Sequence, residues 1–217
     1  MPIDRLTQID ELTRGDHYYL DDEDVCFYFG EYTARKGYSH SDTNSLIINL
    51  KMLPKHKGTI RWQYKQNAIR EGARAFRRNV NQEWVEHEGV LVPIPPSKAK
   101  DHPDHDDRIA QMVTMAFQGY DSDIRELIIQ TASTPADHET DNRLTPDELY
   151  ELYTLDETLC DPAPGQIAIV DDVLTTGKHY KVAKRRLAEA FPDANIFGVF
   201  IARVIHDADF DIMFGDD

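Results

Sequence analysis

The residues of this chain with the clearest chemical potential are two consecutive carboxylates, Asp171 and Asp172, which follow an apolar stretch ending at Val170. Open α/β sheets bind ligands at the carboxyl ends of their strands, so a buried strand here would present both carboxylates at such an edge. A short loop, residues 175–177, then leads into a predicted helix. The N-terminus of a helix carries unpaired backbone N–H groups and a partial positive charge, and both favour an anion.

The side chains around this loop fit the same chemistry. Thr175 and Thr176 supply hydroxyl donors. Gly177 lets the backbone approach an anion closely, and Lys178 adds a positive charge. Carboxylates beside such a loop suit the vicinal hydroxyls of a sugar, or help to hold Mg²⁺. The sequence therefore predicts a ribose 5-phosphate site, since an ordinary capped turn would not explain two acids ending a buried strand.

Residues 167–178 resemble the ribose-phosphate signature of type I phosphoribosyltransferases, which is an apolar strand, two acids and then Thr-Thr-Gly. The resemblance implies that Asp171 and Asp172 contact the ribose hydroxyls and lie near a Mg²⁺ ion that the ligand brings. It also implies that the 5-phosphate is wrapped by the residues that follow, which are Thr175, Thr176, Gly177, Lys178 and His179.

Two positions depart from the pattern of that family. Many members have Thr or Ser where His179 stands, and a ring N–H of His179 can donate in its place. Purine-salvage members often carry an Asp at the position of Thr175, and a threonine cannot act as that base. The chain is therefore more similar to the orotate, amido and competence-protein-F-like branches. Residues 28–32 and 44–51 also resemble the segment that precedes the core in the competence-protein-F-like branch.

Two further stretches are candidates for binding the diphosphate of phosphoribosyl diphosphate, the substrate that the resemblance implies. Ser97 and Lys98 follow an apolar strand at the place where the family holds the diphosphate, although a proline-rich turn with a solvated lysine would look the same. Arg108, at the start of a predicted helix, is a cation that can reach the diphosphate.

A polar stretch, residues 131–142, resembles in its position the mobile lid that type I members close over the reaction. Closure excludes the water that would capture an oxocarbenium-like transition state. His138 and Arg143 are then candidate lid groups, while a plain surface loop is the alternative. The candidate catalytic cations are thus Lys98, Arg108 and Arg143.

The apolar periodicity predicts elements that would position these residues. After Gly89, strands at 89–94, 124–131, 166–170 and 196–204 alternate with helices at 108–117, 145–155 and 178–191. Such alternation predicts an α/β three-layer sandwich with a mainly parallel central sheet, here the phosphoribosyltransferase-like core of residues 89–217. Residues 1–88 are predicted to form an N-terminal α+β hood, with helices at 3–12, 43–50 and 62–76 and a strand at 25–29.

Composition excludes several classes of function. The 217 residues carry 24 Lys and Arg against 39 Asp and Glu, a net charge of −15, which disfavours general binding to nucleic acid or anionic membranes. No apolar run approaches the roughly 20 residues of a membrane span. The start lacks the pattern of a signal peptide, and two cysteines make no disulfide framework, so we expect a reduced, cytoplasmic protein.

Charge is distributed unevenly along the chain. From Lys51 to Arg78 there are nine cations and one acid, which gives +8 and leaves −23 for the rest. A solvated basic helix, either free or at a homodimer contact, is one interpretation. A funnel for an anionic substrate, or a nucleic-acid face with Trp62, Tyr64 and Phe76 interleaved, are the others.

The hypothesis from the sequence is therefore an enzyme, a phosphoribosyltransferase of nucleotide metabolism. It would bind phosphoribosyl diphosphate with Mg²⁺ and transfer the phosphoribosyl group to a nitrogen acceptor with release of diphosphate. The alternative is a catalytically inactive module of the same fold that senses the sugar diphosphate or a nucleotide and binds nucleic acid or a partner. Hydrolysis of such a ligand is a third possibility that the sequence leaves open, and the acceptor is not indicated.

Overall fold

The computed structural model describes residues 5–134 and 144–206. Its helices are α1 (Asp42–Leu50), α2 (Trp62–Asn79), α3 (Gln82–His87), α4 (Arg108–Ala116), α5 (Pro146–Leu152) and α6 (Lys178–Ala190). Its strands are β1 (Thr7–Gln8), β2 (Cys26–Thr33), β3 (Gly89–Pro93), β4 (Asp123–Ile124), β5 (Ile128–Gln130), β6 (Tyr153–Leu155), β7 (Gln166–Leu174) and β8 (Asn195–Ile205).

Six strands form the central sheet, in the order β1-β2-β8-β7-β3-β4. All neighbouring pairs are parallel except β1 with β2, so the predicted α/β class with a mainly parallel sheet is confirmed. From β3 the chain passes through α4 to β4 on one side, and from β7 it passes through α6 to β8 on the other. The order therefore reverses between β3 and β7, and the crevice at the carboxyl ends of such a strand pair is where open α/β sheets bind ligands.

Helices cover both faces of this sheet. One core contains buried side chains of α1, α2 and α4, including Leu50, Phe76 and Met112. The other contains those of α6, α5 and β6, including Leu187 and Tyr153. The central strands alternate between the two cores, because successive side chains of a strand point to opposite faces. The apolar runs of β3 and β7 are continuous because helices cover both faces of the sheet.

The N-terminal part of the chain shares the sheet and core with the rest. Strand β2 pairs with β8 in parallel along its length, from Cys26 beside Gly198 to Thr33 beside Ile205. Helices α1 and α2 lie in the same apolar core as α4. The predicted boundary at Gly89, between a hood and a core, therefore falls inside one continuous sheet.

The helix predicted at 145–155 ends at Leu152, where β6 follows, and the strand predicted at 166–170 continues to Leu174 and includes both carboxylates. Two other predicted elements are wrong. In place of a helix at 3–12, Thr7 and Gln8 form strand β1, and the Asp10 carboxylate then accepts hydrogen bonds from the backbone N–H of Leu12 and Thr13, which bends the chain. The strand expected at 124–131 divides into β4 and β5, and β5 pairs with β6 in a separate antiparallel sheet. Arg125, between them, turns the chain out of the central sheet by donating to the carbonyls of Leu159 and Pro162.

Across residues 5–134 and 144–206, no helix has both the length and the apolar character needed to span a bilayer.

Candidate functional site

The predicted site residues that the structure describes lie at the carboxyl ends of β3 and β7 or in the segments that follow them. Pro93 lies beside Val170 in the sheet, and the N–H of Ile94 donates to the carbonyl of Val170 at 2.9 Å. The chain after β3 therefore leaves the sheet next to Asp171, and the segment with Ser97 and Lys98 begins beside the two carboxylates. Two segments separated by some 70 residues of sequence thus meet where the strand order reverses.

Asp172 is buried, with 3% of its surface exposed, and its carboxylate is neutralised within the protein. Arg108 donates to Oδ2 from Nε at 2.9 Å and from Nη2 at 2.6 Å, and Lys51 Nζ lies 3.2 Å from Oδ1. Burial alone would raise the pKa of Asp172, but the charges of Lys51 and Arg108 outweigh it and hold that pKa well below its usual range. Both carboxylate oxygens have cationic partners.

A second buried ion pair extends this network. Asp106 Oδ2 accepts from Arg108 Nη1 at 2.8 Å and from Lys65 Nζ at 2.7 Å. Lys65 is 1% exposed and also donates to the carbonyls of Leu50 and Met52. The network therefore joins the C-terminal end of α1, the helix α2 and the start of α4 to the end of β7, and Arg108 is its centre.

Asp171 has a different environment from its neighbour. Its side chain is half-buried, and Oδ1 accepts the backbone N–H of Asp172 at 2.7 Å. Burial, and then the negative charge of Asp172, raise the pKa of Asp171 to about 6. Asp171 is thus the carboxylate of the pair with an oxygen left for a ligand, and it gains and loses its charge near neutral pH.

The predicted phosphate-binding residues form the junction between β7 and α6. Gly177 has φ +86°, in the left-handed region that favours glycine, and stands at the N-cap of α6. The first bond within this helix runs from Lys181 N–H to the Gly177 carbonyl, so the amides before it lie at the helix start. Within the described residues, the hydroxyls of Thr175 and Thr176 are not engaged in hydrogen bonds.

An N-terminal segment, residues 17–24, packs directly against this junction, and we call it the strap. His17 Nδ1 bonds to the carbonyl of Thr175, and the N–H of Tyr19 donates to the carbonyl of Thr176 at 3.0 Å. A side chain at Gly177 would meet Leu20 Cδ2 at 2.9 Å. The strap therefore holds the two loop carbonyls of Thr175 and Thr176.

Cations of α6 hold the acidic end of the strap. The carboxylate of Asp24, buried in the protein, accepts from Lys181 and Lys184 at 2.7 Å each, and Asp21 accepts from Lys181 at 2.7 Å. These bonds place four residues of an acidic turn beside the first two turns of α6. No local pattern of residues indicates this contact, because the partners are about 160 residues apart.

The two lysines predicted to bind phosphates both donate to backbone carbonyls. Lys98 Nζ donates to the carbonyl of Thr134 at 2.8 Å, and Lys178 Nζ donates to the carbonyl of Leu144 at 2.9 Å. Thr134 N–H also donates to the Ser97 carbonyl at 2.8 Å. The described residues that border 135–143 therefore contact the two predicted binding loops.

The remaining predicted residues are placed as follows. His179 Nδ1 lies 2.8 Å from the hydroxyl of the buried Tyr153, at the start of α6. Arg143 and His138, with most of the predicted lid, lie outside the described residues.

Three residues of the site were missed as site residues by the sequence analysis. Lys51 was assigned only to the basic segment, and Asp106, just before the helix predicted at 108–117, was given no part in the site. His17, which is fully buried against Thr175, gave no signal at all. For Lys51 a signal existed, because it ends the segment that resembles competence-protein-F-like proteins.

The carboxylates constrain how a divalent cation could bind. No group of three or more His, Cys, Asp or Glu that could hold a metal ion occurs in residues 5–134 and 144–206. Since both oxygens of Asp172 have cationic partners, Asp171 is the carboxylate with room for Mg²⁺. One carboxylate together with the phosphate oxygens of a ligand is a usual environment for Mg²⁺. The donor set therefore fits an ion that enters with its ligand.

No protein-family model, curated protein or solved structure matches the chain.

Proposed function

We propose that this chain is a phosphoribosyltransferase, a pentosyl-transferring glycosyltransferase with the three-layer fold of the type I enzymes. It binds phosphoribosyl diphosphate with Mg²⁺ and transfers the phosphoribosyl group to a nitrogen acceptor. The bond from the acceptor nitrogen to C1 of the ribose forms, the bond from C1 to the diphosphate oxygen breaks, and diphosphate leaves. The observation that carries the proposal is the meeting of two loops, those after β3 and β7, at the point where strand order reverses.

Each group of phosphoribosyl diphosphate can be assigned to a part of these two loops. The 5-phosphate is assigned to the N-terminus of α6, where the backbone after Gly177 approaches an anion and the Thr175 and Thr176 hydroxyls are available. The ribose hydroxyls and the Mg²⁺ are assigned to Asp171. The diphosphate is assigned to the loop after β3, with Ser97 and Lys98, on the neighbouring strand.

In this scheme Arg108 does not bind the diphosphate and Asp172 does not bind the ribose hydroxyls, although both roles were predicted. Arg108 is bound to Asp172 and Asp106, so it is a positioning residue that holds the loop after β3 against β7. Lys51 is the cation of this network with the larger exposed fraction, 35% of its side chain against 19% for Arg108. Lys51 is therefore the better candidate to meet the negative charge that develops on the leaving diphosphate.

Calorimetric titration of the protein with phosphoribosyl diphosphate in Mg²⁺ tests the site. The wild type is expected to bind, and Asp171→Asn is expected to lose most of the affinity because it removes the available carboxylate. Asp147→Asn is the matched control, since that carboxylate is 92% exposed and lies on α5. Unchanged affinity in Asp171→Asn, with the wild type binding, would contradict the site assignment.

A non-catalytic sensor of the same ligand is the second candidate, and the strap is the observation that favours it. Residues 17–20 pack on the junction of β7 and α6, and its two loop carbonyls are already bonded. A ligand that enters there would press on a segment held by Lys181 and Lys184, which suits a protein that reports occupancy by moving the strap.

The two candidates predict different results for the release of diphosphate and for hydrogen exchange in the strap. A phosphoribosyltransferase releases diphosphate when phosphoribosyl diphosphate and the correct acceptor from a nucleobase panel are both present. A sensor binds phosphoribosyl diphosphate, releases no diphosphate with any acceptor, and shows faster backbone hydrogen exchange in residues 17–24 when the ligand is bound.

A further inference from the structure

The exposed side of α2 carries a row of arginines. The helix buries one side, with Ala68, Ile69, Ala73 and Phe76, in the core that it shares with α4. Arg70, Arg74 and Arg78 follow one another at intervals of four residues on the exposed side. Four residues advance about 6 Å along a helix and rotate by little more than one turn, so these guanidinium groups form a single stripe.

The structure separates the nine cations of residues 51–78 into two groups. Three are used inside the protein. Lys51 pairs with Asp172, Lys65 pairs with Asp106, and Arg77 donates to the carbonyls of Ala116 and Gln118 while lying over the Tyr120 ring. The other six are exposed and, within residues 5–134 and 144–206, have no acidic partner: they are Lys55, Lys57, Arg61, Arg70, Arg74 and Arg78. We call the exposed side of α2, together with the exposed cations of residues 55–61 that precede the helix, the α2 face.

Exposed apolar groups lie among these cations. Tyr64 is 52% exposed, and Ile60, just before α2, is 80% exposed. Of the three aromatic residues predicted for a nucleic-acid face, Phe76 is fully buried and Trp62 is half-buried. Tyr64 is therefore the ring that remains available for stacking.

We propose that the α2 face binds single-stranded nucleic acid. A regular row of guanidinium groups suits a chain of regularly spaced phosphates, because arginine pairs with phosphate through two parallel hydrogen bonds. An exposed tyrosine beside such a row gives a base a surface on which to stack. The face carries its positive charge on a protein whose remainder is strongly negative, so binding is confined to this surface and not spread over the molecule. The proposal is independent of the phosphoribosyltransferase assignment.

Fluorescence anisotropy with a labelled single-stranded RNA of about 16 nucleotides, and with the DNA of the same sequence, tests the proposal. The two probes distinguish ribose from deoxyribose recognition. If all six cations contact phosphates, the logarithm of the affinity should fall against the logarithm of salt concentration with a slope of about −4. The variant Arg70→Gln/Arg74→Gln/Arg78→Gln should bring that slope to about −2 and weaken binding strongly at about 50 mM salt. Tyr64→Ala should weaken binding about tenfold with the slope unchanged.

A triple variant at exposed cations elsewhere, Arg5→Gln/Lys100→Gln/Arg185→Gln, is the matched control because it removes the same net charge. It should keep the wild-type slope. The proposal is overturned if neither probe binds the wild type at about 50 mM salt, or if the control variant loses as much affinity as the α2 variant. It is also overturned if sedimentation shows a salt-sensitive dimer that the α2 variant abolishes and that neither probe dissociates, because a second copy would then occupy the face.

Discussion

Arg108 donates two hydrogen bonds to one oxygen of Asp172, from Nε at 2.9 Å and from Nη2 at 2.6 Å. The first residue of α4 is thereby joined to the end of β7, across the crevice where the two candidate loops meet. The same guanidinium reaches Asp106 through Nη1, so one side chain neutralises two buried carboxylates.

Arg108→Met is expected to lower the free energy of unfolding by about 3 kcal/mol, because it leaves Asp172 and Asp106 buried with fewer cationic partners. Urea denaturation measures the change. Arg185→Met is the control, since the Arg185 side chain is 55% exposed and its loss should cost at most about 0.5 kcal/mol. Equal effects of the two variants would show that the buried network contributes nothing.

Asp171→Asn is expected to stabilise the protein at pH 7, by at most about 3 kcal/mol, while it removes ligand binding. Burial and Asp172 raise the pKa of Asp171 from 3.8 in the unfolded chain to about 6, so the folded state disfavours its charge. The contribution of this carboxylate to the free energy of unfolding therefore falls as pH rises from 3.8 to about 6, because the unfolded chain ionises first. Thermal unfolding at pH 7 measures the gain, and a lower melting temperature than that of Asp147→Asn would contradict it.

Binding of phosphoribosyl diphosphate is expected to weaken as pH falls below the pKa of Asp171. At pH 5 about one molecule in ten would carry the ionised carboxylate if that pKa is about 6, so affinity should drop about tenfold. Carboxyl ¹³C chemical shifts report the titration of Asp171 directly. In Asp172→Asn the midpoint should move down, because the repelling charge is gone and Arg108 and Lys51 remain. A wild-type titration midpoint near pH 4 would contradict the raised pKa of Asp171.

Gly177→Ala is expected to destabilise the protein more than Gly119→Ala. Both glycines have positive φ, +86° and +91°, which costs alanine about 1 kcal/mol. A side chain at Gly177 would also meet Leu20 of the strap, whereas nothing lies within 4 Å of one at Gly119. Chemical denaturation should show the difference, and adding Leu20→Ala to Gly177→Ala should remove the part due to the contact. Equal losses of unfolding free energy in both glycine variants would show that Leu20 moves aside without a cost in stability.

Asp24→Asn is expected to loosen the strap, because the buried carboxylate holds both Lys181 and Lys184. Hydrogen exchange at the Tyr19 amide, which donates to Thr176, should become about tenfold faster or more, the effect of losing about 1.4 kcal/mol. Asp22→Asn is the neighbouring control, since that side chain is 93% exposed and pairs with Arg14 at the surface. Unaltered exchange at Tyr19 in Asp24→Asn would contradict the role of these ion pairs.

Local patterns in the sequence predicted the elements around the site well. Thr145 caps α5, Pro146 follows it, and the Glu148 carboxylate accepts a hydrogen bond from the Thr145 N–H, as the order of residue types indicates. The apolar runs of β3 and β7 predicted buried strands, since both faces of the sheet are covered, and the structure shows that the two strands are neighbours. These features depend on residues within a few positions of one another.

Contacts between distant segments could not be predicted in the same way. Nothing in the residues around His17 indicates that it bonds to Thr175, because the two are 158 positions apart and a buried histidine leaves no periodic signal. Asp171 and Asp172 read as an equivalent pair, yet the pleat of β7 turns them to opposite sides and only Asp172 meets Arg108 and Lys51. Their opposite pKa shifts follow from that arrangement alone.

The parallel pairing of β2 with β8 has a consequence for synthesis of the chain. Residues 26–33 are made early, but their partner, Asn195–Ile205, leaves the ribosome about 170 residues later. At typical rates of translation, roughly 10 to 30 s pass between the two events. Throughout that interval β2 has only the two residues of β1 beside it, and an unpaired apolar strand edge is a template for aggregation. The central sheet of this protein therefore closes last between β8 and β2, and the edge of β2 that faces β8 stays unpaired until then.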